Sequence, residues 1–336
     1  MKTDLRSLTL NELEAKVLAL NESKFRAKQI FSQVQKKGAS SFDKMTELSH
    51  ELREKLSQHF QISTLKTIKV LTATDGTKKY LFELPDRLRI EAVLLIDKDR
   101  RTICLSTQVG CRMKCVFCAT GKMQFKRNLT AGEIVSQVIQ IEAENGRISN
   151  LVYMGMGEPL DNYDEVLKSI RILIHPLGKN IGQRKITVST CGLIPEINRL
   201  AQEKLQIRLA VALNGANDKI RSELMPINKK YPLRELIPAI KNFVRQTNRR
   251  VTIEYVLIGG QNDSPLDADA LANLIRGIKV NINLIPCNPF PKSTLKRTTV
   301  ENIKEFKKIL EDIGFEVAQR YRRGESIAAA CGQLAG

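Results

Sequence analysis

From about residue 102 onward, short β-branched segments alternate with longer amphipathic ones, and this alternation restricts the fold more than any other feature of the chain. TICLS, NLVYM (150–154), KITVS (185–189), RLAVAL (208–213), VTIEYVL (251–257), VNINLIP (280–286) and FEVAQR (315–320) read as strands. Between them lie helix-like runs such as LTAGEIVSQVIQIEAEN and VENIKEFKKILEDIG. Strands alternating with helices imply a parallel sheet with crossover helices. Six or seven such units over about 235 residues suit a barrel or partial barrel, whose chemistry collects at the C-terminal strand ends. A doubly wound open sheet satisfies the same periodicity.

The preceding residues follow other patterns. Residues 1–62 read as helical, with LTLNELEAKVLALN, a basic run FRAKQIFSQVQKKG ending at Gly38, and ELSHELREKLSQHF. LKTIKVLTATDGTKKYLFEL predicts a β-hairpin around Asp75 and Gly76, and RIEAVLLI continues as a strand. The first residues lack a signal peptide's apolar region and cleavage site. No window approaches the roughly 18 apolar residues of a membrane span. A cytoplasmic protein is therefore expected, with its seven cysteines reduced and available for metal or catalytic roles. The net charge of +18 suits a polyanionic partner, because Lys and Arg release counterions from phosphates. KFRAKQ (24–29) and QRYRRG (319–324) are candidate phosphate contacts.

GCRMKCVFCATG places Cys111, Cys115 and Cys118 at the spacing C-x3-C-x2-C directly after the TICLS strand. Thiolates are soft ligands for zinc or iron–sulfur clusters. Zinc asks for a fourth Cys or His, and no His is nearby: His50 and His59 lie in the helical region and read as surface residues, and His175 is remote in sequence. A [4Fe–4S] cluster held by three cysteines leaves one iron open to a small molecule. YMGMGEP (153–159) is a glycine-rich segment after a strand but lacks the G-x-G-x-x-G of a dinucleotide site.

The cysteine spacing, with Phe117 before the last Cys, resembles the motif of radical S-adenosylmethionine enzymes. In that superfamily the open iron chelates the amino and carboxylate groups of S-adenosylmethionine, and an added electron splits the sulfonium to give a 5′-deoxyadenosyl radical. LSTQVGC (105–111), FCATG, RNLT (127–130), MGMGEP, LMPINKKYP (224–232), INLIPCNPF (282–290) and AACGQL (329–334) stand in the order of the RlmN/Cfr family of adenosine methyltransferases. The likeness covers about residues 80 to 336 and is weaker over the helical N-terminal region. It implies an α/β fold: a partial (β/α)6 TIM-like radical SAM barrel over 99–336, a β-hairpin extension over 63–98, and a small helical RNA-binding accessory domain over 1–62. It also implies one [4Fe–4S] cluster, two S-adenosylmethionine molecules per turnover, and adenosines of 23S rRNA and tRNA as substrates. An electron donor such as flavodoxin with its reductase, no membrane, and a monomer complete the expectation. NLIPCNPFP and VTIEYVL resemble the RlmN branch, which methylates adenine C2; Pro286 stands where the C8-methylating Cfr branch tends to carry a basic residue.

Adenine C2 is electron-poor and is no nucleophile, so direct transfer from a sulfonium methyl is implausible. The resemblance implies that Cys331 first becomes S-methylcysteine, then loses hydrogen to the radical and bonds to C2 through its methylene. Cys104 matches the cysteine that releases the product, leaving a Cys104–Cys331 disulfide to be reduced. A low pKa would help both sulfurs, and the AAACG stretch reads as mobile. Glu91 matches the family's general base near C2. Gly157, Glu158, Ser189, Ala212, Leu213, Asn214 and Asn288 match residues that touch S-adenosylmethionine, and Cys191 and Cys287 read as structural. In VALNGAND, where many members have ISLHAPND, Ala212 lacks a hydroxyl and Asn214 replaces an imidazole, which leaves backbone contacts. Ser326 stands where the family often has Asp. A competing reading of another class is an RNA-binding protein whose metal site is structural.

Overall fold

In the computed structural model, which describes residues 2–291, 293–320 and 323–335, three helices open the chain: α1 (Leu10–Leu18), α2 (Lys24–Phe31) and α3 (His50–His59). Thr9 starts α1 through a reciprocal capping box with Glu12. The expected helix to Gly38 divides, because a π-helical turn over Ser32–Lys36 follows α2. Leu13, Val17, Ile30, Phe31, Leu52 and Leu56 form the buried side of this layer.

The helical layer is seated on the N-terminus of α4 (Ala131–Asn145). The Gly132 amide donates to Ser7 Oγ at 2.9 Å, and a Cβ at Gly132 would stand 2.5 Å from that same oxygen. Only a residue without a side chain allows this approach.

Strands β1 (Lys66–Thr72), β2 (Lys78–Glu83), β3 (Arg89–Asp97) and β4 (Arg100–Cys104) form an antiparallel meander. The first turn falls at Asp75 and Gly76, where Gly76 takes φ +78°. β4 then pairs in parallel with β5 (Asn150–Tyr153). From there β6 (Ile186–Thr190), β7 (Arg208–Ala212), β8 (Val251–Leu257), β9 (Val280–Pro286) and β10 (Val317–Gln319) add in parallel. The hairpin is therefore continuous with the parallel strands in one ten-stranded sheet. Strand neighbours follow sequence order throughout, without the reversal that defines a doubly wound sheet. Edge strands β1 and β10 are not paired with each other, so the barrel is open.

The crossovers are α4, α5 (Tyr163–Ile174), α6 (Ile194–Gln202), α7 (Leu233–Thr247), α8 (Pro265–Ile275) and α9 (Val300–Asp312), one after each of strands β4 to β9. Period-two alternation explains both faces of the strands. Leu151, Val188, Ile253, Tyr255, Ile282 and Leu284 are buried in the core. Asn150, Thr187, Thr252, Asn281 and Asn283 line a lumen of about 580 Å³. Among the described residues no helix is long and apolar enough to cross a membrane.

Gly132→Ala is expected to lower stability by about 1–3 kcal/mol, the usual cost of overpacking. A fall in the denaturant midpoint with unchanged far-ultraviolet circular dichroism would register it.

Candidate active site and cluster loop

β4 delivers Cys104 to the C-terminal face of the sheet, and the chain runs through buried Leu105–Val109 to Gly110. Gly110 has φ +75°, and a Cβ there would overlap the Gln124 carbonyl oxygen. Cys111, Cys115 and Cys118 follow on a loop fastened at several points. The Val116 amide donates to the Leu224 carbonyl at 3.0 Å, the Cys118 amide to the Cys115 carbonyl at 3.3 Å, and the Ala119 amide to the Gly332 carbonyl at 2.7 Å.

The three cysteines line one cavity of about 170 Å³. Burial pushes the Cys111 thiol up to about 12. Burial and the adjacent thiols push Cys115 well above the ordinary range, and burial raises Cys118. Such a set becomes anionic only against a cationic centre. Tetrahedral zinc asks for four protein ligands or three with an open position, commonly including histidine. Three thiols in one cavity wall that contains no histidine fit a polynuclear cluster with an open position.

Gly157, Glu158, Ser189, Ala212, Asn214 and Asn288 stand in the same wall. Glu158 is buried, and its carboxylate accepts from the Leu160 amide at 3.0 Å and the Cys191 amide at 2.8 Å. Asn214 takes φ +55°. Its Nδ2 donates to Met225 Sδ at 3.2 Å and its Oδ1 accepts from the Val256 amide at 2.8 Å. The residue that replaces an imidazole is thus committed within the protein. Leu213 lies in the core behind the wall. Ser189 Oγ donates to Glu254 Oε2 at 2.5 Å, while Glu254 Oε1 is buried without a hydrogen bond.

The adjoining lumen shares Cys118, Met154, Asn288, Arg320 and Cys331 with the cluster cavity and adds Cys104. Cys331 is exposed, but its segment is held on both sides. Asn288 Nδ2 donates to the Cys331 carbonyl at 3.2 Å, and Thr120 Oγ1 donates to the Leu334 carbonyl at 2.6 Å. Gln333 Nε2 donates to the Pro289 carbonyl at 3.0 Å. The small residues of AAACG lead one to expect a mobile stretch, and the docking leaves no local signal because every partner is remote in the chain.

Arg320 also differs from expectation. Grouped with candidate phosphate contacts, it turns inward, with Nη1 3.4 Å from Cys331 Sγ and Nη2 3.3 Å from Met154 Sδ. Glu254 Oε1 lies 3.9 Å from its guanidinium. Burial works against its charge, but Cys331 and Glu254 outweigh that and raise its pKa. Arg323 pairs with Asp97 at 3.2 Å and donates to the Ile96 carbonyl, and Tyr321 and Arg322 of that run lie outside the described residues. In the other basic run, α2 exposes Lys24, Phe25 and Lys28, with Phe25 62% exposed. The expected low pKa fails at Cys104: burial, reinforced by Cys331, pushes this thiol up to about 12.

Glu91 is buried, although a lone strand Glu is usually solvent-facing. It pairs with Lys79 at 2.9 Å and accepts from the Ala335 amide at 2.9 Å, beneath the C-terminal segment and outside both cavity walls. Cys191 and Cys287 are buried. His50 and His59 are exposed, and His175 packs against Phe31, away from the site.

An open parallel barrel with a three-cysteine loop after its first strand and a glycine-rich turn after its second defines a radical S-adenosylmethionine enzyme, a class that uses a [4Fe–4S] cluster and S-adenosylmethionine. The radical SAM superfamily model matches residues 105–272. A model described as "Ribosomal RNA large subunit methyltransferase N-terminal domain" matches residues 3–62. Relatives from Bacillus cytotoxicus and Bacillus licheniformis, each described as "Probable dual-specificity RNA methyltransferase RlmN", are 47% identical to the chain over 337 aligned positions; the alignment covers 99% of this chain and 93% of each relative. The crystal structure of a radical SAM methyltransferase from Sphaerobacter thermophilus superposes with a TM-score of 0.95 at 46% identity, covering 99% of both chains. The chain belongs to the RlmN family of dual-specificity RNA methyltransferases.

In cluster-free, reduced protein at pH 8, an alkylating reagent is expected to label exposed Cys331 well before Cys104. Cys104 labelling should rise only as pH climbs toward about 12. Peptide mass spectrometry over a pH series reads both rates, and equal labelling at pH 8 would contradict the burial effect.

Proposed function

We propose that this chain methylates C2 of an adenosine in 23S rRNA and of an adenosine in tRNA, using Cys331 as the methyl carrier and Cys104 as the releasing thiol. One observation carries this reading: Cys104 and Cys331 open on the same lumen, and Cys331 also borders the three-cysteine cavity. A sulfur at that junction can meet the methyl source, the base and the second thiol in turn.

Cys111, Cys115 and Cys118 would hold the cluster, and Gly157, Glu158, Ser189, Ala212, Leu213, Asn214 and Asn288 would bind S-adenosylmethionine, Leu213 through its backbone. When bound, the two groups supply a transferable methyl and, after reduction by a partner such as flavodoxin, a hydrogen-abstracting radical. Arg320 holds a guanidinium nitrogen 3.4 Å from the Cys331 sulfur, which loses its proton as it accepts the methyl group. Once the Cys331 carbon is bonded to C2 and the adduct has given its unpaired electron back to the redox centre that supplied the first one, Glu91 takes the C2 proton. That role requires Ala335 to leave the carboxylate, so the last residues must shift when RNA seats. Cys104 then loses its proton and bonds to the Cys331 sulfur as the carbon–sulfur bond breaks; the bonding pair stays on the methylene carbon, which takes up a proton to become the methyl group, and an external thiol reduces the disulfide. The raised pKa of Cys104 keeps it protonated until then, which protects Cys331 from premature disulfide formation.

Residues 1–62 read as the RNA-binding domain, 63–98 as the β extension and 99–336 as the catalytic barrel. Thiol chemistry of this kind belongs in a reducing cytoplasm, and a monomer suffices because every residue invoked comes from one chain.

The test is nucleoside mass spectrometry of 23S rRNA fragments and tRNA treated with reconstituted enzyme. The expected product is 2-methyladenosine, abolished at least 1,000-fold (on the order of loss of a covalent nucleophile) in Cys331→Ala with iron content unchanged. 8-Methyladenosine would assign the other branch, and 2-methyladenosine from Cys331→Ala would overturn the carrier.

A further inference from the structure

Arg221 is a buried cation that the chemistry above leaves unused. It lies on the short helix Asp218–Leu224 and has no solvent exposure. Its hydrogen bonds all go to neutral oxygens: Asn228 Oδ1 at 2.6 Å, the Cys191 carbonyl at 2.7 Å and the Tyr231 carbonyl at 3.4 Å. Nε has no partner. Of the two acids on its own helix, Glu223 is exposed and Asp218 is engaged elsewhere, accepting from Asn228 Nδ2 and the Leu233 amide, each at 2.9 Å. A guanidinium withdrawn from water without a bonded carboxylate costs several kcal/mol unless another negative charge compensates it.

The surroundings identify that charge. Cys191, whose carbonyl Arg221 holds, stands in the wall that contains Cys111, Cys115 and Cys118. At the end of Arg221's helix, the Leu224 carbonyl accepts from the Val116 amide, between the second and third cysteines. The guanidinium therefore sits behind the cluster loop, and the one carboxylate whose charge reaches it, Asp218, makes no hydrogen bond to it and spends its own on Asn228 and Leu233.

We propose that Arg221 is the fixed counter-charge of the iron–sulfur cluster and holds its reduction potential up. This rests on Cys111, Cys115 and Cys118 being the cluster ligands. Three thiolates on a [4Fe–4S] core give a net negative site, and taking up one electron makes it more negative by one charge. A buried cation at fixed position stabilises the reduced state more than the oxidised one, because the low local dielectric screens it weakly. Arg221 thereby eases the electron uptake on which the radical step depends. It is a positioning and tuning residue and touches no reacting atom. The competing role is a purely structural staple that joins Cys191 to Asn228 and Tyr231.

The test is an electron-paramagnetic-resonance redox titration of the anaerobically reconstituted holoenzyme, with iron and sulfide counted in each sample. In Arg221→Gln and Arg221→Met, the reduced-to-oxidised ratio at a given potential should fall about tenfold, equivalent to 59 mV for a one-electron couple. Arg221→Lys keeps the charge and should stay within about threefold of wild type. Full iron content with an unchanged potential in a neutral variant would overturn the proposal, as would a lysine variant shifted as far as the neutral ones. Should the neutral variants lose the cluster, retention at wild-type potential in the lysine variant supports the counter-charge. Loss in the lysine variant as well assigns Arg221 to the staple. A protein that binds no iron under any condition would instead sink the underlying ligand assignment.

Discussion

The hydrogen bonds that dock the C-terminal segment onto the cluster loop hold the site together. Ala119 donates to the Gly332 carbonyl at 2.7 Å, one residue past Cys118 and one past Cys331. Thr120 repeats the clasp to Leu334 across 214 residues of sequence. Everything proposed for Cys331 depends on this juxtaposition, since without it a cysteine near the terminus would sample solvent. The same clasp also brings Ala335 over Glu91, so one docking event places the proposed carrier and covers the proposed base.

Below the clasp, the barrel is unlike one whose interior is filled with branched apolar side chains. Asparagines and threonines face a lumen, and the apolar halves of the same strands pack outward under the crossover helices. An open polar interior accommodates the charges that gather at its upper end. Arg320 stands between Glu254 and Cys331, and Ser189 holds the far side of the Glu254 carboxylate. The site is thus an electrostatic arrangement supported by a sheet that leaves room for it.

What was legible in the sequence followed from local rules. Period-two strands, amphipathic crossovers and the Asp75–Gly76 turn are short-range signals, and the observed strands fall within or beside the segments those signals mark. The cysteine spacing pointed to a cluster because three cysteines in eight residues is itself a local pattern. Long-range facts were hidden. Arg320 looks like any member of a basic run until β10 turns it toward Met154 and Cys331. Glu254 and Arg221 owe their importance to burial, and burial is a property of the assembled sheet. Cys104 illustrates the limit most clearly: the role proposed for it suggested a low pKa, while its burial in the lumen wall pushes the thiol the other way.

The central claim is that the methyl carbon passes through Cys331 and loses a hydrogen on the way to RNA. Isotope tracing tests it most directly, with S-adenosylmethionine whose methyl group carries three deuteriums, supplied to reconstituted enzyme and RNA. The account predicts label on the Cys331 peptide first, and then a 2-methyladenosine that retains two deuteriums, the third appearing in 5′-deoxyadenosine. A product that keeps all three, with Cys331 never labelled, would mean direct transfer and would contradict it.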